Sequence, residues 1–111
     1  MTTRLEYWMM HDGQTICAIS DKVAALFRCG PEELIGRNIF DIIPNPEMRA
    51  LARLRMKHIV TKGELHDQEM PIQRPEGSVF WARVKTKRVG QDTFVSILEY
   101  LGDTNPNYHG T

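Results

Sequence analysis

The sequence has no excess of either charge. It contains 14 Lys+Arg against 14 Asp+Glu, a formal net charge of zero in 111 residues. A protein whose main partner is nucleic acid usually carries clustered surplus Lys and Arg. The one basic run, residues 83–88, alternates charged and uncharged residues, so its side chains would fall on both faces of a strand. We therefore expect no direct binding to nucleic acid.

Long apolar runs and paired cysteines are also missing. No stretch approaches the roughly 18 apolar residues of a membrane span, and the first residues lead into no signal-peptide core. Cys17 and Cys29 are the two cysteines, with no Cys-x-x-Cys and no histidine at metal-ligand spacing. We expect a cytoplasmic protein with no membrane partner and no metal site, whose thiols are reduced and mostly buried.

Catalytic motifs are absent as well. There is no glycine-rich phosphate loop, no His-Glu-x-x-His and no Gly-x-Ser-x-Gly. Asp12 beside His11 and Asp67 beside His66 are neighbours at strand ends, which is typical of solvated polar residues. We expect no catalytic residues and no enzyme activity. The rival hypothesis is a small α+β enzyme that needs a carboxylate on an inward position for proton transfer.

The length fits one domain, predicted over 1–101, with a polar tail over 102–111 that is a frayed end or a linker. Asp12-Gly13 predicts a hairpin turn between strands 5–11 and 15–19. A helix over 21–27 is expected to begin at Ser20 or Asp21 and end at Gly30. Short helical turns follow at 31–36 and 38–43, and Asn45-Pro46 opens the longest helix, which runs to about Thr61.

After residue 65 the apolar period changes from helical to about two, which predicts strands over 66–74, 78–89 and 93–101. Two strands, several short helices, one longer helix and three hairpin-connected strands indicate an α+β fold. Its antiparallel sheet is covered by helices on one face.

The segment Pro31-Glu32-Glu33-Leu34-Ile35-Gly36 resembles the link between two short helices in the PAS domain family. Arg74, Gly77, Ser78 and Trp81 are similar to that family's R-x-D-G-S-x-x-W strand entry, and the pieces come in family order over about 16–101. The sequence departs from the family pattern at Ser20, Arg28-Cys29 and Pro44-Asn45-Pro46.

The resemblance implies a five-stranded sheet in order 2-1-5-4-3 and a sensory or docking module in signal transduction. Such a module shifts population on binding a ligand or partner and passes the change to an output domain, a kinase, cyclase or transcription regulator. A haem ligand is expected about three turns before the helix end, near Leu51 or Ala52, whereas His58 lies later and toward the polar border. The flavin motif N-C-R-F-L-Q is also absent, and Cys29 fits a small buried hydrophobe better than a redox sensor. Haem and flavin are therefore not expected, and the cofactor stays unknown.

A pocket of this fold would be lined by inward positions of the long helix and strands. The candidate ligand-binding residues are Phe40, Arg55, Met56, Ile59, Met70, Ile72, Phe80, Ala82 and Ser96. Arg55 would anchor a ligand carboxylate with its guanidinium. The alternative is that Arg55 reaches solvent and the other side chains form an ordinary core.

The opposite face of the sheet offers apolar side chains with no helix left to cover them. The candidate dimer-interface residues are Tyr7, Met9, Trp81, Val95 and Ile97. An exposed apolar patch of this kind tends to mark a partner site, so we expect a homodimer through this face. Two functions remain open: a small-molecule sensor and a ligand-free dimerisation or docking module.

Overall fold

The structure, a computed structural model, describes residues 6–106, and for 64–67 the backbone alone. The elements in chain order are β1 (Trp8–His11), β2 (Ile16–Ile19), α1 (Asp21–Phe27), α2 (Pro46–Lys62), β3 (Glu64–Gln73), β4 (Val79–Arg88) and β5 (Phe94–Gly102). Two 3₁₀ turns, Pro31–Glu33 and Ile39–Ile42, lie between α1 and α2. Leu5, predicted in the first strand, and residues 107–111 of the predicted tail lie outside the described part.

Capping residues set both ends of the long helix as the sequence predicts. The Asn45 side chain accepts hydrogen bonds from the backbone N–H groups of Glu47 and Met48, and Pro46 occupies the first turn, where its missing N–H costs nothing. Gly63 ends α2 at a φ of 96°, a left-handed conformation that glycine adopts without a steric penalty. No helix in the described range is both long and apolar enough to cross a membrane.

The end of α1 differs from the prediction. Ser20 caps its start by accepting from the Val23 N–H, but Arg28 ends it, at a φ of 57°. Gly30, the expected C-cap, has an ordinary φ of −77°. Residues other than glycine adopt the left-handed region at a cost, so Arg28 is a strained position.

The five strands form one antiparallel sheet in the order β2-β1-β5-β4-β3, which confirms the predicted fold. β1 pairs with β5 so that Met9 lies opposite Ser96 and Trp8 opposite Ile97. β4 pairs with β5 so that Thr86 lies opposite Ser96. The register therefore brings residues of three strands to one point on the inner face of the sheet.

Both helices pack on this inner face. Phe27 of α1 is fully buried and meets Phe80 of β4 edge-to-face, with ring centroids 5.4 Å apart. From α2, Met56 and Ile59 enter the core. The prediction for the cysteines was wrong for Cys17, which is exposed in β2, whereas Cys29 is half-buried; both are free thiols.

Candidate functional site

A cavity of about 100 Å³ lies between α2, the 3₁₀ turn Ile39–Ile42 and the inner face of the sheet. Its wall is mainly apolar. The apolar side chains around it are Met9, Ile39, Phe40, Ile42, Ile43, Ala52, Met56, Ile59, Met70, Ile72, Val84 and Leu98. The polar ones are His11, Arg55, Gln68, Thr86 and Ser96. An apolar pocket with a few polar groups is the usual form of a small-molecule site.

Most of the predicted pocket residues line this cavity. They are Phe40, Arg55, Met56, Ile59, Met70, Ile72 and Ser96. Phe80 and Ala82 do not line it, although both face inward and are fully buried. Phe80 lies farther along β4, where it packs against Phe27 and beneath the Arg74 guanidinium, 4.7 Å from the ring centroid.

Arg55 is half-buried at the helix side of the cavity. Among the described residues it has no ion pair and no hydrogen bond. The neighbouring Arg53 instead lies over the Phe40 ring, 4.9 Å from its centroid. A guanidinium beside an apolar cavity can bind an anionic group in a bidentate pair.

A buried cluster on the sheet, hereafter the polar floor, consists of His11, Ser96 and Thr86. The His11 Nε2 lies 3.0 Å from the Ser96 Oγ, which lies 2.7 Å from the Thr86 Oγ1. The exposed fraction is 2% for His11, 7% for Ser96 and 9% for Thr86. Sequence reasoning found Ser96 but missed His11, which it treated as a solvated strand-end residue.

Burial determines the state of the His11 ring. It stacks on Phe94 with centroids 5.8 Å apart, and desolvation lowers its pKa from 6.5 to about 4, while the Asp12 charge acts in the opposite direction. The Gly13 N–H donates to Nδ1 at 3.2 Å. In the neutral ring Nε2 therefore carries the hydrogen and donates it to Ser96.

A second polar cluster surrounds Arg74, whose side chain is 3% exposed. Its guanidinium donates to the Leu26 carbonyl at 2.7 Å, to the Ser78 Oγ at 3.1 Å and to Asp103 at 3.1 Å. The Tyr100 hydroxyl also donates to Asp103, and with Arg74 it holds the pKa of that carboxyl below its usual range. Arg74 thus connects the end of α1 and the β3–β4 turn to the segment that follows β5.

The outer face of the sheet corrects two predictions. Met9 is buried and lines the cavity, and Tyr7 packs against the core, so neither lies on the outer face. Side chains alternate along a strand, and β1 instead presents Trp8 and Met10 there, opposite Ile97 and Val95. These four residues form an apolar patch, hereafter the β1–β5 patch.

Trp81, the remaining predicted interface residue, is half-buried on the same face but lies apart from the β1–β5 patch. Its partners in register are Pro71 and Gly102, whereas Ile97 lies opposite Lys85. Between them Arg83 makes ion pairs with Glu69 at 3.0 Å and Glu99 at 2.8 Å. A row of charges therefore separates Trp81 from the β1–β5 patch.

His58 and Cys29, the two side chains weighed as cofactor or redox groups, do not line the cavity. His58 is exposed on α2, and the half-buried Cys29 thiol has its pKa raised by burial and by Glu33 and Glu32, which disfavours a reactive thiolate. Among the side chains that the structure describes, no group of three or more His, Cys, Asp or Glu residues could hold a metal ion.

A five-stranded antiparallel sheet in this order, with helices on one face and a small cavity beneath them, defines one class of small α+β domains. The family model described as PAS domain matches residues 6–104, so the chain belongs to the PAS domain family. PAS domains serve as sensory modules in signalling proteins. No curated protein matches the chain significantly in sequence.

Solved structures agree on the fold. The PAS domain of a LuxR-family transcriptional regulator from Burkholderia thailandensis, in complex with ethanol, has a TM-score of 0.73 and 22% identity, covering 86% of this chain and 88% of that one. The PAS domain of an HTR-like protein from Haloarcula marismortui has a TM-score of 0.68 and 20% identity, covering 85% of this chain and 86% of that one. The LOV domain of a blue-light activated histidine kinase from Erythrobacter litoralis has a TM-score of 0.70 and 18% identity, covering 86% of this chain and 95% of that one.

Proposed function

We propose that this PAS domain is a sensory module that binds a small molecule in the cavity between α2 and the sheet. The observation that carries the proposal is the cavity itself, about 100 Å³ with an apolar wall and a few polar groups. A cavity of about 150 Å³ accommodates benzene, so this one encloses about four or five heavy atoms. The similar domain from Burkholderia thailandensis is in complex with ethanol, a molecule of only three heavy atoms.

Arg55 is the proposed anchor for a ligand carboxylate at the helix side. Its guanidinium has no partner among the described residues, and a bidentate pair with a carboxylate gives both affinity and orientation. The Arg55→Ala variant is therefore expected to lose an acidic ligand that copurifies with the wild-type protein. Full occupancy in the variant would remove the anchor role.

The proposed output path is β5. Ser96 on this strand lines the cavity, and Tyr100 on the same face bonds to Asp103 beyond the strand end. Binding in the cavity would favour one packing of α2 on the sheet, and β5 would convey that change to an output domain following the module. Similar domains come from a LuxR-family regulator and from a sensor histidine kinase/response regulator of Geobacter sulfurreducens, which supports a regulator or kinase as the output.

A homodimer through the β1–β5 patch is part of the proposal. Trp8, Met10, Val95 and Ile97 are half-buried side chains on the face opposite α1 and α2. Sedimentation of the wild-type protein at tens of micromolar is expected to give a dimer, and Ile97→Glu a monomer. The matched control is Val89→Glu, since Val89 is exposed outside the patch. A wild-type monomer would contradict the dimer.

Native mass spectrometry with an absorption spectrum, on gently purified protein, tests the ligand. A stoichiometric extra mass is expected, and the spectrum reports its chemical class. A clean dimer without any added mass, combined with no response of the cavity to small molecules, would instead favour the alternative of a ligand-free dimerisation or docking module.

A further inference from the structure

The polar floor has one more hydroxyl hydrogen than it uses. The His11 Nε2–H donates to Ser96, and a single hydrogen bond joins Ser96 and Thr86, so one of the two hydroxyls donates and the other accepts. Among the described residues neither hydroxyl has another partner. Whichever way the bond runs, one O–H is left to donate, and both residues line the cavity.

Charge restricts the group that takes this hydrogen. The His11 ring is neutral at physiological pH, and no cation among the described side chains bonds to Ser96 or Thr86. A carboxylate placed there would be desolvated without a countercharge, and an ammonium would be desolvated likewise and would offer no acceptor for the spare hydroxyl hydrogen. An uncharged oxygen satisfies the spare hydroxyl without either cost.

We infer that the ligand places an uncharged oxygen, that of a ketone or an alcohol, against the Ser96–Thr86 hydroxyl pair, with its small apolar body among the Met and Ile side chains above. The inference rests on the proposed function and deepens it by naming the ligand class. It also divides the roles within the cavity, because any carboxylate of the ligand then belongs at Arg55 rather than at the floor.

The test is a set of NMR titrations of the ¹⁵N-labelled full chain at pH 7.5. Butan-2-one and sec-butylammonium share one carbon skeleton and differ in the group offered to the floor; isobutyrate adds a carboxylate, and xenon reports apolar volume alone. We expect butan-2-one to bind at least tenfold more tightly than sec-butylammonium and to shift the Thr86 and Ser96 amide signals. The binding of isobutyrate is expected to depend on Arg55.

Thr86→Val removes one hydroxyl at nearly constant volume. It is expected to weaken butan-2-one binding by about fivefold, the value of one net hydrogen bond, and to leave xenon binding unchanged. Ser96→Ala is the second variant. Thr61→Val is the matched control, because Thr61 is exposed and donates to the Lys57 carbonyl away from the cavity, and it should change neither affinity.

The outcomes separate the two proposals. Equal affinities for butan-2-one and sec-butylammonium, or unchanged butan-2-one binding in both floor variants, would overturn the inference while xenon binding still supports a ligand cavity. If no probe, xenon included, perturbs the cavity signals of the wild-type protein, the proposed ligand-sensing function fails and the inference fails with it. The ranking in the wild-type protein decides the matter even where a variant does not fold.

Discussion

Acidification should destabilise this domain through the burial of His11. The histidine pKa is 6.5 in the unfolded chain and about 4 in the folded one, because burial disfavours the charged ring. Between these values the unfolded chain binds one more proton than the folded chain. The free energy of unfolding therefore falls as the pH falls through this window.

The size of the effect follows from the two pKa values. Linkage gives a loss of about 2 kcal/mol between pH 7.5 and pH 5, and a limiting loss of about 3 kcal/mol below pH 4. For a domain of this size 2 kcal/mol corresponds to a melting temperature lower by roughly 8 °C. The residues around the ring, Phe94 and Ser96 from β5 and Ile16 from β2, carry no charge.

Asp12 is the one charged neighbour among the described side chains, and it does not confuse the measurement. The backbone N–H groups of Thr15 and Gln14 bond to its carboxylate and lower its pKa. It thus keeps its charge throughout the pH 5–7.5 window. The carboxyls of Glu76 and Asp103 also have lowered pKa values, so their stability contributions are lost at lower pH.

The assay is urea unfolding at several pH values, with wild type and His11→Gln compared. The glutamine does not titrate, so the difference between the two curves isolates His11 from every other group. We expect that difference to change by about 2 kcal/mol from pH 7.5 to 5. Parallel curves would show that His11 is accessible to protons in the folded state, and the reasoning from its burial would be wrong.

Two further changes test the strained helix end and the second polar cluster. Arg74→Leu should cost about 3 kcal/mol in urea unfolding, because it leaves the Leu26 carbonyl without its donor and removes the charge beside Asp103; a loss below 1 kcal/mol would contradict this role. Arg28→Gly should raise stability by about 0.5 kcal/mol by relieving the positive φ, since the exposed ion pairs that it removes contribute little. A lower melting temperature would show that those pairs outweigh the strain.

The sequence predicted the elements whose signals are local. Asn45 and Gly63 mark the ends of α2 through capping, and the turns between β3, β4 and β5 fall where glycine-containing segments predict them. On β4 and β5 the alternation of apolar and charged residues assigned the faces correctly. The end of α1 was not predicted correctly, because two nearby residues could each end the helix. Arg28 ends it, and Gly30, which the sequence favours, does not.

The phase of β1 could not be predicted for a physical reason. Residues 7–11 are Tyr, Trp, Met, Met and His, each of which fits either face of a sheet. Their sequence therefore does not show which of them face the core. Pairing with β5 decides the matter by placing Met9 opposite Ser96. Tyr7 and Met9, two residues predicted at the interface, therefore lie on the inner face, and so does His11.

The apolar wall of the cavity was predictable from the sequence, whereas its polar floor was not. Met56 and Ile59 lie three positions apart on α2, a spacing visible in the sequence. His11 and Ser96 are 85 residues apart, and each alone is an ordinary strand residue. Their chemistry exists only in the sheet, where burial keeps the ring neutral and the register supplies its acceptor. A ligand that bonds to this floor therefore contacts either Ser96 of β5 or Thr86, whose hydroxyl is hydrogen-bonded to Ser96. Ser96 lies about 13 Å along β5 from Tyr100, which donates a hydrogen bond to Asp103.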